Sequence, residues 1–131
     1  FGFAFKANTN DTRESPAISI SNELLSEGAN LSFYDPKVNS LQIKKELKLE
    51  NHKSEIPIEE NRWSFHHDKY ESTINADALI ILTDADEFKC LDWEKISKNM
   101  RAPAWIFDTK GFCNTTEIQK SGLKLWTIGI G

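Results

Sequence analysis

The opening stretch constrains this chain most: Phe1-Gly-Phe-Ala-Phe-Lys-Ala-Asn-Thr-Asn-Asp-Thr-Arg-Glu-Ser-Pro16. An apolar run ends at Lys6, a polar loop carries Arg13, and Ser15-Pro16 begins a helix. Ser is a favoured N-cap because its hydroxyl accepts a free N–H of the first turn. Pro is tolerated at the first helical position, where its missing N–H costs nothing. Strand, loop and helix in this order open a βαβ unit and imply a parallel sheet. Two cations flank a loop that feeds a helix start, where unpaired N–H groups and partial positive charge favour an anion. The pattern fits a phosphate-bearing ligand.

The rest of the chain repeats the alternation. A helix is expected over Pro16 to Glu27, with Gly28 as its stop. A strand over Asn30 to Tyr34 ends at Asp35-Pro36. Asn39 caps a second helix through Leu49, with Leu41, Leu47 and Leu49 inward. Glu50 to Arg62 reads as an exposed polar loop, and Trp63-Ser-Phe65 as either a short edge strand or an aromatic anchor under that loop. Asp68 is expected to cap a short helix containing Tyr70 and Ile74. Ala78 to Leu82 is apolar on both faces, as a covered parallel strand should be. Asp92 caps a helix through Met100 that Pro103 ends, and Ala104 to Phe107 is another strand. A helix from Thr115 or Thr116 stops at Gly122, and Leu123 to Ile128 closes the sheet. The fold class is therefore α/β: a Rossmann-like open, mostly parallel sheet of five or six strands, helices on both faces, in a single domain.

With 131 residues, 39% of them hydrophobic and 27% charged, the chain can bury roughly two-thirds of its unfolded surface. A net charge of −4 and a pI near 5.4 argue against nucleic acid or an anionic membrane as partner. No apolar run is long enough to span a bilayer, and no signal peptide is visible. Cys90 and Cys113 have no paired-ligand spacing, so they read as reduced packing thiols in a cytoplasmic protein. His66-His67-Asp68 is a poor metal cluster, because adjacent side chains on a strand face opposite ways; no metal site is expected. The apolar run at Phe1 looks cut short for a buried strand, which suggests a fragment of a longer protein.

In an open α/β sheet, ligands bind beyond the carboxyl ends of the strands. The groups expected there are Lys6 and the Arg13 loop, Asp35, Thr83-Asp84, and Asp108-Thr-Lys110. Lys6 is the leading phosphate contact, since a charge-assisted hydrogen bond is worth about 1.5–3 kcal/mol. Arg13 sits between Asp11 and Glu14, so a local ion pair competes with a role on a pyrophosphate. Asp11 and Ser15 read as structural. Asp35, next to Pro36 and without a Gly-x-Gly-x-x-Gly loop before it, reads as a turn residue.

Gly2-Phe-Ala-Phe-Lys6 followed by Asn10-Asp-Thr-Arg-Glu-Ser15 resembles the opening of the C-terminal domain of UDP-glucose 6-dehydrogenases. Tyr34-Asp35-Pro36, Thr83, Ile106-Phe107-Asp108 and Thr127-Ile128-Gly129 fit the same pattern across essentially the whole chain. The resemblance implies a UDP-sugar-binding C-terminal domain over 1–131, lacking the N-terminal NAD-binding and central helical dimerisation domains. It implies substrate contacts from Phe5, Lys6 and Lys110, and contact of Arg13 with NAD held mainly by the other domain. No catalytic residue lies in this chain, because the nucleophilic Cys belongs to the central region. The implied parent is a homo-oligomer that oxidises UDP-glucose with two NAD+; the fragment alone is expected to be inactive. Two departures bear on the sugar. Asp108-Thr109-Lys110 replaces the usual Asp-Gly-Arg, and Asp84-Ala-Asp-Glu87 replaces a loop that often carries Trp. A sister dehydrogenase acting on UDP-N-acetylmannosamine or GDP-mannose is the alternative, as is a non-catalytic nucleotide-sugar sensor. A signalling receiver domain is a more distant one, since it needs an acid pair where Lys6-Ala7 stands.

Overall fold

Ser15 and Pro16 start a helix as the capping argument requires. In the computed structural model, which describes residues 1–51 and 62–128, α1 spans Pro16–Ser26 and the Ser15 hydroxyl oxygen accepts from the Ala17 N–H at 3.2 Å. Gly28 follows with φ +97°, the left-handed conformation that glycine adopts without a Cβ penalty. Strand β1 (Leu31–Phe33) comes next, then α2 (Ser40–Asn51), β2 (Trp63–Phe65), β3 (Ala78–Ile81), α3 (Trp93–Asn99), β4 (Trp105–Asp108), α4 (Thr115–Lys120) and β5 (Lys124–Thr127).

The strands form two parallel sheets, β1-β2 and β3-β4-β5. The opening residues join them. The Phe1 amino group donates to the Ile80 carbonyl (2.7 Å) and the Leu82 N–H to the Phe1 carbonyl (2.8 Å). On the other side the Gly2 N–H donates to the Tyr34 carbonyl (2.9 Å). Counting this segment as the first strand, the spatial order is 3-2-1-4-5-6, the doubly wound order that reverses direction between the first and fourth strands.

Helices cover both faces. Ile81 packs with Phe88, Trp93, Ile96, Ile106 and Ile118 on the side of α3 and α4. The next residue, Leu82, packs with Phe3, Ala17, Ile18, Leu25, Ile43 and Leu47 on the side of α1 and α2. Gly2 makes one exception to strand alternation. Its φ of +90° lets Phe1 and Phe3, two residues apart, face opposite ways. Phe1 stacks on Phe88 with ring centroids 5.0 Å apart, and Phe3 meets Phe33 edge-on at 5.5 Å.

Several boundaries differ from expectation for identifiable reasons. α2 continues through Asn51 instead of ending at Leu49. Asn39 and Gln42 hold its start reciprocally, each side-chain oxygen accepting the other's N–H at 3.0–3.1 Å, which is a capping box. Among the described side chains of α2, Ile43 and Leu47 point inward, Leu47 as expected, while Leu41 is 74% exposed; the Leu49 side chain lies outside what the structure describes. Of the loop expected over Glu50 to Arg62, residues 52–61 lie outside the described residues, and 50 and 51 belong to α2. The helix expected after Asp68 is only a 3-10 turn, Glu71–Thr73. Its own hydroxyls explain this: Ser72 donates to the Lys69 carbonyl and Thr73 to the Tyr70 carbonyl (2.6 and 2.7 Å). They take acceptors a longer helix would use, and Asn75 turns to φ +61°. α4 is capped by Asn114, whose side-chain Oδ1 accepts from the Glu117 N–H, and β4 runs one residue further than expected, to Asp108.

Candidate nucleotide-sugar site

The crevice at the strand-order reversal is built from the opening loop. Ser15 is buried, and its hydroxyl donates back to the Phe3 carbonyl at 2.7 Å, with the Ala4 carbonyl at 3.3 Å. The Phe5 N–H donates to the Asp11 carbonyl (2.7 Å), and Thr12 donates to Glu46 on α2 (2.9 Å). Asp35 completes the frame. One carboxylate oxygen accepts from the Phe3 and Ala4 N–H groups (2.8 and 3.1 Å), the other from Lys37 and Val38 (2.7 and 3.0 Å). The expected turn residue is thus also a buried clamp on the opening segment. Its carboxylate thereby takes up the Phe3 and Ala4 N–H groups within the chain itself.

Held this way, the loop turns Phe5 and Lys6 outward. Phe5 is 50% exposed. Lys6 is exposed and makes no ion pair among the described residues. Arg13 behaves differently. Its Nε and one terminal nitrogen clasp both oxygens of Asp11 at 3.0 and 2.9 Å, with the Arg side chain 86% exposed. The bond from Arg13 holds the Asp11 carboxyl down to about 2. The local pair that competed for Arg13 is the one present.

The second wall follows β3 and β4. Thr83 is buried against Gly2, where a Cβ would meet the Thr83 hydroxyl oxygen at 2.3 Å. Only glycine allows this approach. Thr109 donates through its hydroxyl to the Ile81 carbonyl (2.7 Å), so the loop after β4 is tied to the end of β3. Asp108 is fully buried and accepts from the N–H groups of Lys110, Gly111 and Cys113 at 2.8–2.9 Å. Burial works to raise its carboxyl, yet the bonds from Cys113, Lys110 and Gly111 hold it below the usual carboxylate range. Lys110 is left exposed, with no ion pair among the described residues.

The structure therefore brings the Lys6 loop, Asp35, Thr83 and Asp108–Lys110 to the same carboxyl edge. Arg13 shares the edge with its guanidinium engaged locally. Burial, reinforced by the Asp108 charge, pushes the Cys113 thiol up, which leaves it protonated and poorly nucleophilic at neutral pH. Cys90 is exposed, which corrects its reading as a packing thiol. His66 meets the Ser64 hydroxyl at 3.0 Å and His67 the Phe65 ring at 5.1 Å, on opposite sides of the strand. What the sequence hid was the reach of Asp35; its only local signal was the Tyr34-Asp35-Pro36 turn.

The model of the UDP-glucose/GDP-mannose dehydrogenase family, UDP binding domain, matches residues 1–115. The chain belongs to this family. UDP-glucose 6-dehydrogenase 1 of Glycine max is 40% identical over 136 residues, covering 98% of this chain and 28% of the relative. UDP-glucose 6-dehydrogenase 4 of Arabidopsis thaliana is 39% identical with the same coverage. The chain thus spans a little over a quarter of the curated relatives it matches. Among solved structures, the NDP-N-acetyl-D-galactosaminuronic acid dehydrogenase of Methanosarcina mazei Go1 superposes with a TM-score of 0.74 at 22% identity, over 98% of this chain and 23% of that one. That likeness supports the fold of the UDP-binding domain. No helix among the described residues is long and apolar enough to cross a membrane.

Proposed function

We propose that this chain is the C-terminal UDP-sugar-binding domain of a UDP-glucose 6-dehydrogenase. The observation that carries the reading is the opening loop: a frame closed by Asp35 and Ser15 presents Phe5 and Lys6 at the sheet's switch point, in a chain about 40% identical to plant UDP-glucose 6-dehydrogenases along nearly its whole length. Lys6 supplies the charged contact to the UDP-sugar, Phe5 packs beside it, and Lys110 adds a second cation from the facing wall. The parent would oxidise the C6 alcohol of UDP-glucose to the carboxylate, taking up one water and reducing two NAD+ to two NADH.

NAD fits this chain only marginally. The Phe3 and Ala4 N–H groups are occupied by Asp35, so these two are not available to a pyrophosphate. NAD, which accepts the hydrides, would be held mainly by the parent's N-terminal domain, with Arg13 leaving Asp11 to meet it. The parent is read as a cytoplasmic homo-oligomer assembled through its central region. This chain alone supplies neither the nucleophilic Cys nor the main NAD site and should reduce no NAD+.

A second reading is a sister dehydrogenase acting on UDP-N-acetylmannosamine or GDP-mannose. Lys110 favours it, because lysine cannot reproduce the planar bidentate contact of arginine. The test follows NADH absorbance in the full-length parent with each of the three sugars, for wild type and Lys6→Ala. Two NADH per UDP-glucose, reduced at least tenfold in kcat/KM by Lys6→Ala, is expected. Turnover of another sugar alone would shift the assignment to the sister class, and no turnover with any would leave a nucleotide-sugar sensor.

A further inference from the structure

A row of uncovered rings and an unpaired strand edge meet at Trp126. Trp105 stacks on Phe107 with ring centroids 5.9 Å apart, and Phe107 reaches Trp126 at 6.4 Å. Side chains alternate along a strand. With Ile106 and Leu125 turned into the core beside α3 and α4, these three rings face the other way. Both tryptophans are 39% exposed, and Ile128 at the end of β5 is 57% exposed. β5 is also the outermost strand of its sheet. The Lys124 and Ile128 N–H groups donate inward, to the Ala104 and Asp108 carbonyls at 3.0 and 3.2 Å. Backbone groups alternate sides along a ladder, so Leu125 and Thr127 turn theirs outward. Among the described residues these groups have no backbone partner. Exposed edges are usually blunted by a proline, a bulge or an outward charge. β5 carries no proline and no bulge, and its one charged residue, Lys124, lies over the Trp105 ring at 5.5 Å.

We propose that the outer edge of β5 is a self-association surface, and that its occupant is the β5 of a second copy of this chain, paired antiparallel about Trp126. The edge is complementary to itself. In this register Leu125 stands opposite Thr127 of the second copy and the two exchange both N–H···O bonds; the two-fold axis repeats the exchange on the other side. Trp126 meets its own counterpart at a position without backbone bonds, where Cα atoms approach to about 4.5 Å and an aromatic pair stabilises the contact. The charges fit as well. Lys124 stands opposite Ile128 of the second copy, so no like charges face each other. Behind the sheet α4 packs on β5, with Glu117 in its first turn and Lys120 in its last, and two antiparallel copies set unlike ends side by side. A second copy is favoured over an unrelated strand because it brings the Trp126 pair and the charge match together with the backbone bonds. The contact is one short strand and a few rings, below the roughly 800 Å² per partner of a stable dimer. The pair therefore forms at high protein concentration and parts on dilution, independently of which sugar the crevice takes.

The test is sedimentation equilibrium of the 131-residue chain from about 5 to about 500 µM, a range suited to weak contacts, with amide exchange at Leu125 and Thr127 over the same range. A mass rising from 15.0 kDa toward twice that value, with exchange at both amides slowed at least about twofold, is expected. A constant mass, or association without slowing at these two amides, would overturn the proposal. Thr127→Pro removes an outward N–H that an edge strand can spare and should leave a folded monomer throughout; undiminished association of the folded variant would overturn edge pairing. Because residue 126 faces itself, Trp126→Lys and Trp126→Glu should each stay monomeric alone and associate when mixed. A mixture no more associated than either variant alone would overturn the register.

Discussion

Two loops at the carboxyl edge are built on the same device and differ in reach. In each, a buried aspartate collects backbone N–H groups and a lysine is left pointing outward. Asp108 serves its own loop, binding residues two, three and five positions on. Asp35 binds two residues of its own turn and two that precede it by 31 and 32 positions. The first is a local turn that happens to be buried; the second joins separate parts of the chain. A local device can relax toward water when its carboxylate is lost, whereas a long-range one leaves buried donors on two segments with nowhere to go.

The largest expected effect breaks the long-range clamp. Asp35→Ala orphans four N–H groups at a cost of about 1–3 kcal/mol for each that stays buried, so a loss of about 3–5 kcal/mol should appear in denaturant unfolding. Gly2→Ala should follow at about 3 kcal/mol, combining left-handed strain with the 2.3 Å approach to Thr83; Thr83→Gly should recover part of it by relieving the contact but not the strain. Asp108→Ala should cost about 2 kcal/mol, and equal losses at Asp35 and Asp108 would remove the distinction between the loops.

Acid sharpens it further. Because the folded Asp108 carboxyl lies below its ordinary value, near 3.9 in an unfolded chain, the unfolded state takes up the proton first. The stability Asp108 contributes is present above about pH 4 and lost as pH falls through the folded value. Asp108→Asn should therefore flatten the acid limb of a Tm-against-pH curve. The smallest effects concern the outward cations. Lys6→Ala and Lys110→Ala should leave stability within about 0.5 kcal/mol while each weakens UDP-sugar binding about tenfold or more by calorimetry. Arg13→Ala, removing a solvent-exposed pair, should leave Tm unchanged.

Which parts were legible follows from the same contrast. Ser15, Asp92 and Gly28 announce helix ends because a cap is satisfied within three residues, and Ala78 to Leu82 announces a buried strand by composition alone. The Asn39 cap is equally local and was legible; its reciprocal partner Gln42, three residues on, carries the same short-range signal. Tyr70 to Ile74 misled because periodicity says nothing of Ser72 and Thr73 turning their hydroxyls onto the backbone. The clamp from Asp35 to Phe3 and Ala4 could not be read at all, since no spacing rule connects positions so far apart. Arg13 was legible only as a choice between two partners, and its immediate neighbour prevails in the chain as it stands.

One consequence of the Asp35, Ser15 and Asp108 frames concerns change over generations. They consume many backbone groups around the crevice internally, and leave Phe5, Lys6 and Lys110 protruding without a structural duty. Such a crevice can exchange one ligand for another by replacing a few protruding residues, without renegotiating the scaffold beneath. Lys110 stands at such a place, exposed at the rim two positions after the buried Asp108.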